Sequence, residues 1–588
     1  MDQYSADVLG ASTLSEEKAP FMKLCSRIAA TVLFTILIAV GNGSAQNKSG
    51  TADTIVLHAK IYTLDSKQPW AEALAIRGDR IVLVGSDAEI AKLHSKNTQV
   101  IDAKGRLVLP GFTDCHIHFI DGSFSLGRVN LEGAKDAADI QQRLRAHGAA
   151  HPGDGWILGR GWNYAMFPSS LPDKKILDEV FPDRPAFLEG YDGHTYWANS
   201  KALELAHITK DTPNPPNGVI VRDPQTGEAT GALKEAAQGL VAAVLPKPTR
   251  GEKLTALRAG IHWANENGLA RVHSAGGDFE EFDLYDELLR HGDLTLRFYV
   301  AYFQDPPELG PRDLMAIEDA RKKYTGDWLS AGAVKFMIDG VVESHTAAML
   351  QPYSDDRSFQ GKPFWDPEKY KSAVAELDKR GLQILTHAIG DSGVRTVLDG
   401  YENMERTNHT SGRRPRIEHI ETISAEDVPR FGKFGVIASM QPLHSYPDEN
   451  TLRVWARNAG PDRASRAWVW KSIANDGGQL AFGSDWPVVT LNPFEGIQTA
   501  VTRQTAEGLP KEGFVPAERL SVAEAIRGYT LGAAYAGFRE KTEGSLEPGK
   551  LADLIILSQN LFDVDAHSIN KTKVLTTIVG GRVVFQAR

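Results

Sequence analysis

Cysteine is nearly absent. The 588 residues hold two, Cys25 and Cys115. That excludes a disulfide-dense scaffold and an all-thiolate zinc site. Basic excess is also missing, since the formal net charge is -10. A nucleic-acid surface demands the opposite sign, so no nucleic-acid partner is expected. No apolar run reaches the length of a bilayer span. The longest, Ile28 to Val40, is too short for a transmembrane helix. Low hydrophobicity is not among the lacks: 42% of residues are hydrophobic and 24% charged, enough for a large core.

That short apolar run has the flanks of an export signal. Met22-Lys-Leu-Cys-Ser-Arg27 gives a positive start, and Gly43-Ser-Ala45 gives small residues suited to cleavage. Residues 1–21 are polar and precede a second Met, and are read as lying upstream of the true start. Residues 22–45 are read as the signal peptide, with Gln46 as the first mature residue. The expected location is periplasmic or secreted, with no membrane anchor after cleavage. Cys25 precedes the apolar run and is not placed for lipid attachment. Cys115 is then the sole thiol and reads as a small buried group. Composition leaves homo-oligomerisation open.

Both ends of the remaining chain are strand-rich. Thr54–Leu64, Ala73–Gly85, Gln99–Asp102 and Arg106–Pro110 read as strands, as do Ala552–Leu557, Val574–Val579 and Gly580–Phe585. A small composite β-sandwich built from 46–108 and 544–588 is the economical reading. Between them, 109–543 alternates strand-like and helix-like segments, the pattern of βα units around a parallel sheet. Eight apolar runs end in polar residues: Leu107–His118, Pro185–Glu189, Ala270–Ser274, Gly332–Ile338, Leu382–His387, Arg416–His419, Gly435–Met440 and Leu480–Asp485. Eight such units predict an α/β fold, a (β/α)₈ TIM-type barrel. The stretch around 120–260 is too long for ordinary connections and predicts an insertion near the barrel mouth.

Catalytic groups of such barrels sit at the C-terminal strand ends. Those ends carry His116 and His118, then Lys335, His387, His419 and Asp485. His116 and His118 are two apart and share a strand face. A lone histidine is more often structural; four at one mouth, with an Asp, point to a divalent metal, zinc first, as one or two ions. Lys335 is ambiguous. Its apolar neighbours favour a lowered pKa and uptake of carbon dioxide as a bridging carbamate. A salt bridge with Asp339, or a snorkelling side chain, fits the residue type at least as well.

Several stretches together carry a family resemblance. They are Leu109-Pro-Gly-Phe-Thr-Asp-Cys-His-Ile-His118, Val334-Lys-Phe-Met-Ile-Asp-Gly340, Thr386-His-Ala-Ile-Gly-Asp391, Arg416-Ile-Glu-His-Ile420, Phe482-Gly-Ser-Asp-Trp-Pro487 and Gly544–Ile555. In this order they resemble the amidohydrolase superfamily, within it the amidohydrolase-3 group of YtcJ-like and N-substituted formamide deformylase-like proteins. The resemblance implies that His116 and His118 hold a first ion and His387 and His419 a second. Lys335, carboxylated, bridges them, and Asp485 is both ligand and catalytic proton shuttle. It implies hydrolysis of a non-peptide carbon–nitrogen bond by a metal-activated hydroxide. His345 departs from the pattern, standing where the group has Arg.

The substrate is expected to be a small molecule, an N-substituted amide or formamide with an apolar substituent. His194, His273 and His345 are candidate contacts. Trp162 and Trp486, with Tyr164, Tyr191 and Trp197, are candidates for an aromatic wall. Two rival readings stand beside this one. The same donors serve an esterase, lactonase or cyclic amidase, and a silent barrel captures a small molecule without turnover. A decayed site loses ligands, and all six remain here.

Overall fold

Alternating apolar residues near both chain ends lead to one sandwich. The structure is a computed structural model, and it describes residues 50–167 and 170–588. The expected signal peptide, Cys25 and residues 1–21 lie outside the described residues. One sheet orders its strands Arg80–Gly85, Ala73–Arg77, Thr54–Leu57, Gln99–Asp102. The other runs Arg582–Gln586, Val574–Val579, Leu554–Leu557, Leu107–Pro110, Lys60–Tyr62, Trp70–Ala71. Leu107–Pro110 is the meeting point: it pairs parallel with Lys60–Tyr62 and antiparallel with Leu554–Leu557. Val56, Leu74, Ile76 and Val108 share a core with Leu554, Ile556 and Ile578. Each such aliphatic side chain stabilises by roughly 1.5–3 kcal/mol when buried. The late strands are therefore part of the early strands' core.

At Gly111 the chain leaves the sandwich for the barrel. Its N–H donates to Asp553 O (2.9 Å), and a Cβ there would lie 2.6 Å from that of Ala270. Only glycine passes so close to a neighbouring strand. The long run 107–118 is thus two strands. The barrel strands are β1 (Phe112–Ile117), β2 (Leu269–Gly277), β3 (Arg297–Phe303), β4 (Leu329–Met337), β5 (Gln383–Ala388), β6 (Arg416–His419), β7 (Ile437–Met440) and β8 (Gln479–Phe482). They lie parallel and in sequence order. Closure between β8 and β1 is made just beyond the ladder. Asp485 N–H donates to His116 O (2.7 Å) and His118 N–H to Trp486 O (2.8 Å). Gly483 makes this seam possible, since a Cβ there would sit 2.5 Å from His116 N.

One expected barrel strand is elsewhere. Pro185–Glu189 falls on Ala186–Gly190, which belongs to the insertion's own sheet. It pairs parallel with Ile157–Trp162 but antiparallel with Thr195–Ala198. The four-residue turn from Tyr191 to His194 forces that antiparallel return; a parallel one needs a long crossover. Arg297–Phe303 takes the vacant place as β3. The insertion sheet spans six strands from Val129–Asn130 to Ala229–Glu235, around a core holding Ile140, Leu144, Trp162 and Trp197.

The outer helices follow their apolar stripes. Pro367–Lys379 starts where Asp366 accepts from the N–H groups of Glu368 (3.0 Å) and Lys369 (3.1 Å). It buries Tyr370, Val374 and Leu377, spaced by four and three. Among the described residues, no helix is long and apolar enough to cross a membrane.

Candidate metal centre

The six donors named from the sequence converge at the C-terminal end of the barrel. Lys335 Nζ lies 3.3 Å from His116 Nε2. Asp485 Oδ1 is 3.3 Å from both His116 Nε2 and His118 Nε2. Asp485 Oδ2 is 3.8 Å from His419 Nδ1. The His387 and His419 rings stand 4.5 Å apart, and His116 and His419 4.8 Å. One ligand atom each from His116, His419 and Asp485 fits within 4.8 Å of the others.

Strand alternation alone does not give this arrangement. Glu418 and His419 are consecutive, yet both reach the interior. His419 has φ +76° and Ile420 +54°, so the chain turns at the end of β6. Asp485, at the end of β8, has φ +64°. Such left-handed backbone costs on the order of 1–3 kcal/mol per non-glycine residue and persists only where the surroundings enforce it.

A buried relay beneath the donors orients them. His116 Nδ1–H donates to Glu418 Oε2 (2.6 Å), leaving Nε2 as the free acceptor. Arg416 grips the same carboxylate through Nε to Oε1 (2.9 Å) and Nη2 to Oε2 (3.1 Å). Burial acts to raise the Glu418 carboxyl; Arg416 and then His116 overcome it and hold it down to about 2. Gln441 Oε1 accepts from His419 Nδ1–H (2.9 Å), which frees Nε2 there too. Glu418, Arg416 and Gln441 carried no assigned role in the sequence. The signal was present: Arg416 and Glu418 are two apart and share a face of β6.

Charge at the centre is shaped by burial. Burial pushes the Lys335 amine down to about 8. Asp339 is not its partner, because that carboxylate accepts from the N–H groups of Ala348, Ile389 and Gly390 (2.8, 3.0 and 2.9 Å). Burial also pulls His387 and His419 well below the usual imidazole range, so both are neutral ligand types. For Asp485 burial works upward, but His116, His118 and His419 hold it well below the usual carboxylate range. Its Oδ1 is sealed from solvent without a hydrogen-bond partner. An orphaned carboxylate oxygen facing the His116 and His118 rings suits a divalent transition ion.

A cavity of about 470 Å³ opens above these groups. His194 lines it, with Nδ1 2.9 Å from Glu235 Oε2 and its ring 5.5 Å from that of His387. Burial would depress His194; Glu235 reverses this and carries it up to about 9. The other named contacts lie elsewhere. His273 is in mid-β2, below the donors, with Nδ1 3.1 Å from Arg416 Nη1. His345 Nε2 pairs with Asp355 (3.0 Å), away from the cavity lining. Trp162 packs inside the insertion with Trp197, its Nε1 donating to Leu188 O (3.1 Å). Trp486 lies against Phe119 and covers Gly122. Large indoles are most stable when fully buried; of the expected aromatic wall, Tyr191 lines the cavity. Cys115 is buried against Ser439 Oγ (3.2 Å), and burial pushes its thiol up to about 12, as expected of an inert group.

One lining residue went unread in the sequence. His444, in the turn Pro442–Ser445 after β7, stacks on His419 with ring centroids 5.6 Å apart. Its Nε2 is 3.6 Å from Asp485 Oδ2. It lies four residues past the end of β7 and belongs to no spacing pattern.

Comparison with known proteins agrees with this geometry. The family model described as "Amidohydrolase family" matches residues 99–585. The chain belongs to the amidohydrolase family. As an amidohydrolase it is a hydrolase of carbon–nitrogen bonds. It is 34% identical to Protein LONG AFTER FAR-RED 3 of Arabidopsis thaliana, over 91% of this chain and 92% of that protein. It is 27% identical to N-substituted formamide deformylase of Arthrobacter pascens, over 91% and 98%. Among solved structures it resembles an uncharacterized metal-dependent hydrolase from Pyrococcus horikoshii OT3, at TM-score 0.70 and 25% identity, covering 87% of this amidohydrolase and 99% of that chain.

Proposed function

We propose that this amidohydrolase cleaves an N-substituted amide, formamides included, with one or two divalent ions, zinc first. The observation that carries the reading is the convergence of His116, His118, Lys335, His387, His419 and Asp485 at one barrel end. A divalent ion held by these donors supplies Lewis acidity, lowering the pKa of water and polarising a carbonyl.

The protein's own groups then have definable tasks. Asp485 accepts the proton from the attacking water and delivers it to the amide nitrogen as the C–N bond breaks. The products are a carboxylic acid and an amine. His444 Nε2, 3.6 Å from Asp485 Oδ2, stands next in line for a proton. His194, charged and beside His387, donates to the substrate carbonyl oxygen. Lys335, buried and poor at keeping its proton, takes up carbon dioxide as a carbamate and releases a proton. Export through residues 22–45 would place this chemistry outside the cytoplasm.

Elemental analysis of purified protein, joined to a hydrolysis panel of amides, formamides, esters and lactones, tests the reading. We expect bound divalent metal and turnover of amides, with Asp485→Asn folded and slower by roughly 10²–10⁴. Metal-free protein, or an unimpaired Asp485→Asn variant, would overturn it.

A further inference from the structure

The lining of the cavity is rich in carboxyl groups. Six carboxyl side chains besides Asp485 line the cavity: Glu132, Asp192, Glu343, Glu421, Asp448 and Glu495. Among the described residues lining it there is no arginine, and Lys335 is the sole lysine. Outside the convergent donors the cavity's cationic side chain is His194, which Glu235 already pairs (2.9 Å).

Glu343, Glu421 and Asn450 are buried members of this lining. Glu343 is 8% exposed, and Asn450 3%. The Tyr191 hydroxyl donates to Glu343 Oε1. Asn450 Nδ2 donates to the Tyr191 oxygen (2.9 Å) and to Glu343 Oε1 (3.3 Å). Trp455 Nε1 donates to Glu421 Oε2 (2.7 Å). Every strong donor in the cluster is thus spent on the cluster itself. What remains is acceptors. Asn450 Oδ1, whose orientation is fixed by its own Nδ2, has no hydrogen-bond partner although buried. A buried amide oxygen without a donor costs free energy, and a donating ligand relieves it. The acids are also crowded. Burial, then Glu421 and Asp192 as like charges, pushes the Glu343 carboxyl upward, and a seated cation would reverse that.

We propose that this wall binds a protonated amine, so that the substrate is an amide carrying an ammonium group remote from the scissile bond. The proposal rests on the reading of the site as an amide hydrolase and replaces the expected apolar substituent. Glu343 is the specificity-determining carboxylate, with Glu421 and Asn450 as further acceptors.

The test is a near-isosteric series offered to zinc-loaded enzyme: N-formyl cadaverine, N-formyl hexylamine and N-formyl aminohexanoate, ending in ammonium, methyl and carboxylate. We expect kcat/KM for the ammonium compound to exceed that for the methyl compound by about 10–100-fold, with the carboxylate poorest. The Glu343→Gln variant should raise KM for the ammonium compound and shrink the preference at least tenfold. Equal rates, or preference for the methyl or carboxylate compound, overturn the proposal from wild-type kinetics alone, even if Glu343→Gln fails to fold. Should none of the three turn over, the hydrolase reading fails on these substrates, and binding decides the inference separately. Cadaverine should then raise the melting temperature of the wild type more than hexylamine does. Equal shifts, or no shift, would overturn it.

Discussion

Replacing Glu418 by Gln removes one charge from a fully buried relay. Glu418 is held near pKa 2, against 4.5 for a free carboxyl. The difference is about 2.5 pKa units, or roughly 3 kcal/mol at 1.36 kcal/mol per unit. The variant also strands Arg416, which is buried and bonded to both carboxylate oxygens. Breaking a buried pair by removing one partner costs about 3–5 kcal/mol, so the two routes agree in size. Unfolding entropy is roughly 2.1 cal/mol/K per residue. Over the unit Ala52–Arg588, a loss of about 3 kcal/mol lowers the melting temperature by about 3 °C. The effect on metal should be larger. Without the carboxylate, His116 Nδ1–H loses its strongest acceptor, and affinity should fall about 10–100-fold. Competition with a chromophoric chelator measures that, and calorimetry the melting shift. An unchanged metal affinity with a shifted melting temperature would refute the orienting role. No change in either would refute the relay. The pH dependence has a definite sign. A carboxyl depressed in the folded state stabilises fully above its unfolded value, so wild-type stability should fall between about pH 4.5 and 2. Glu418→Gln should lack that component.

Lys335→Ala should lose metal and turnover together, and added acetate or formate should restore part of both if a carbamate is the missing ligand; metal content and rate against carboxylate concentration check this. Gly111→Val forces branched atoms into space already held by the Ala270 Cβ, 2.6 Å from where a Cβ would lie. It should destabilise by about 1–3 kcal/mol, read as a melting shift. Prolonged chelation should abolish hydrolysis, with zinc restoring it, while the far-ultraviolet circular dichroism stays native. Cleavage after Ala45 should give a mature chain beginning at Gln46, checked by N-terminal sequencing of secreted or periplasmic material.

The four converging histidines were legible because each combines a rare side chain with the end of an apolar run. His116, His118, His387 and His419 need nothing nonlocal to be noticed. The strand count was less legible. Pro185–Glu189 and Arg297–Phe303 are both apolar and close on polar residues, so only pairing partners separate them. Partner choice is a property of the folded chain; here a short turn at Tyr191–His194 settles it. The relay was half visible, as the alternation Arg416-x-Glu418, but its target on β1 is 302 positions away from Glu418. His444 was invisible, because a turn residue carries no periodicity. The tryptophans misled in the usual direction: loop position suggests a ligand wall, while apolar area favours burial between layers.

Leu107–Pro110 flows through Gly111 into the strand that bears His116 and His118, and it is flanked by Leu554–Leu557. During synthesis the first two imidazoles therefore emerge long before their support does. A nascent chain halted after residue 485 but before residue 554 would hold all six donors, with His116 and His118 on a strand not yet braced. An ion held by these donors would then load late, timed by completion of the final strands rather than by the arrival of the ligands.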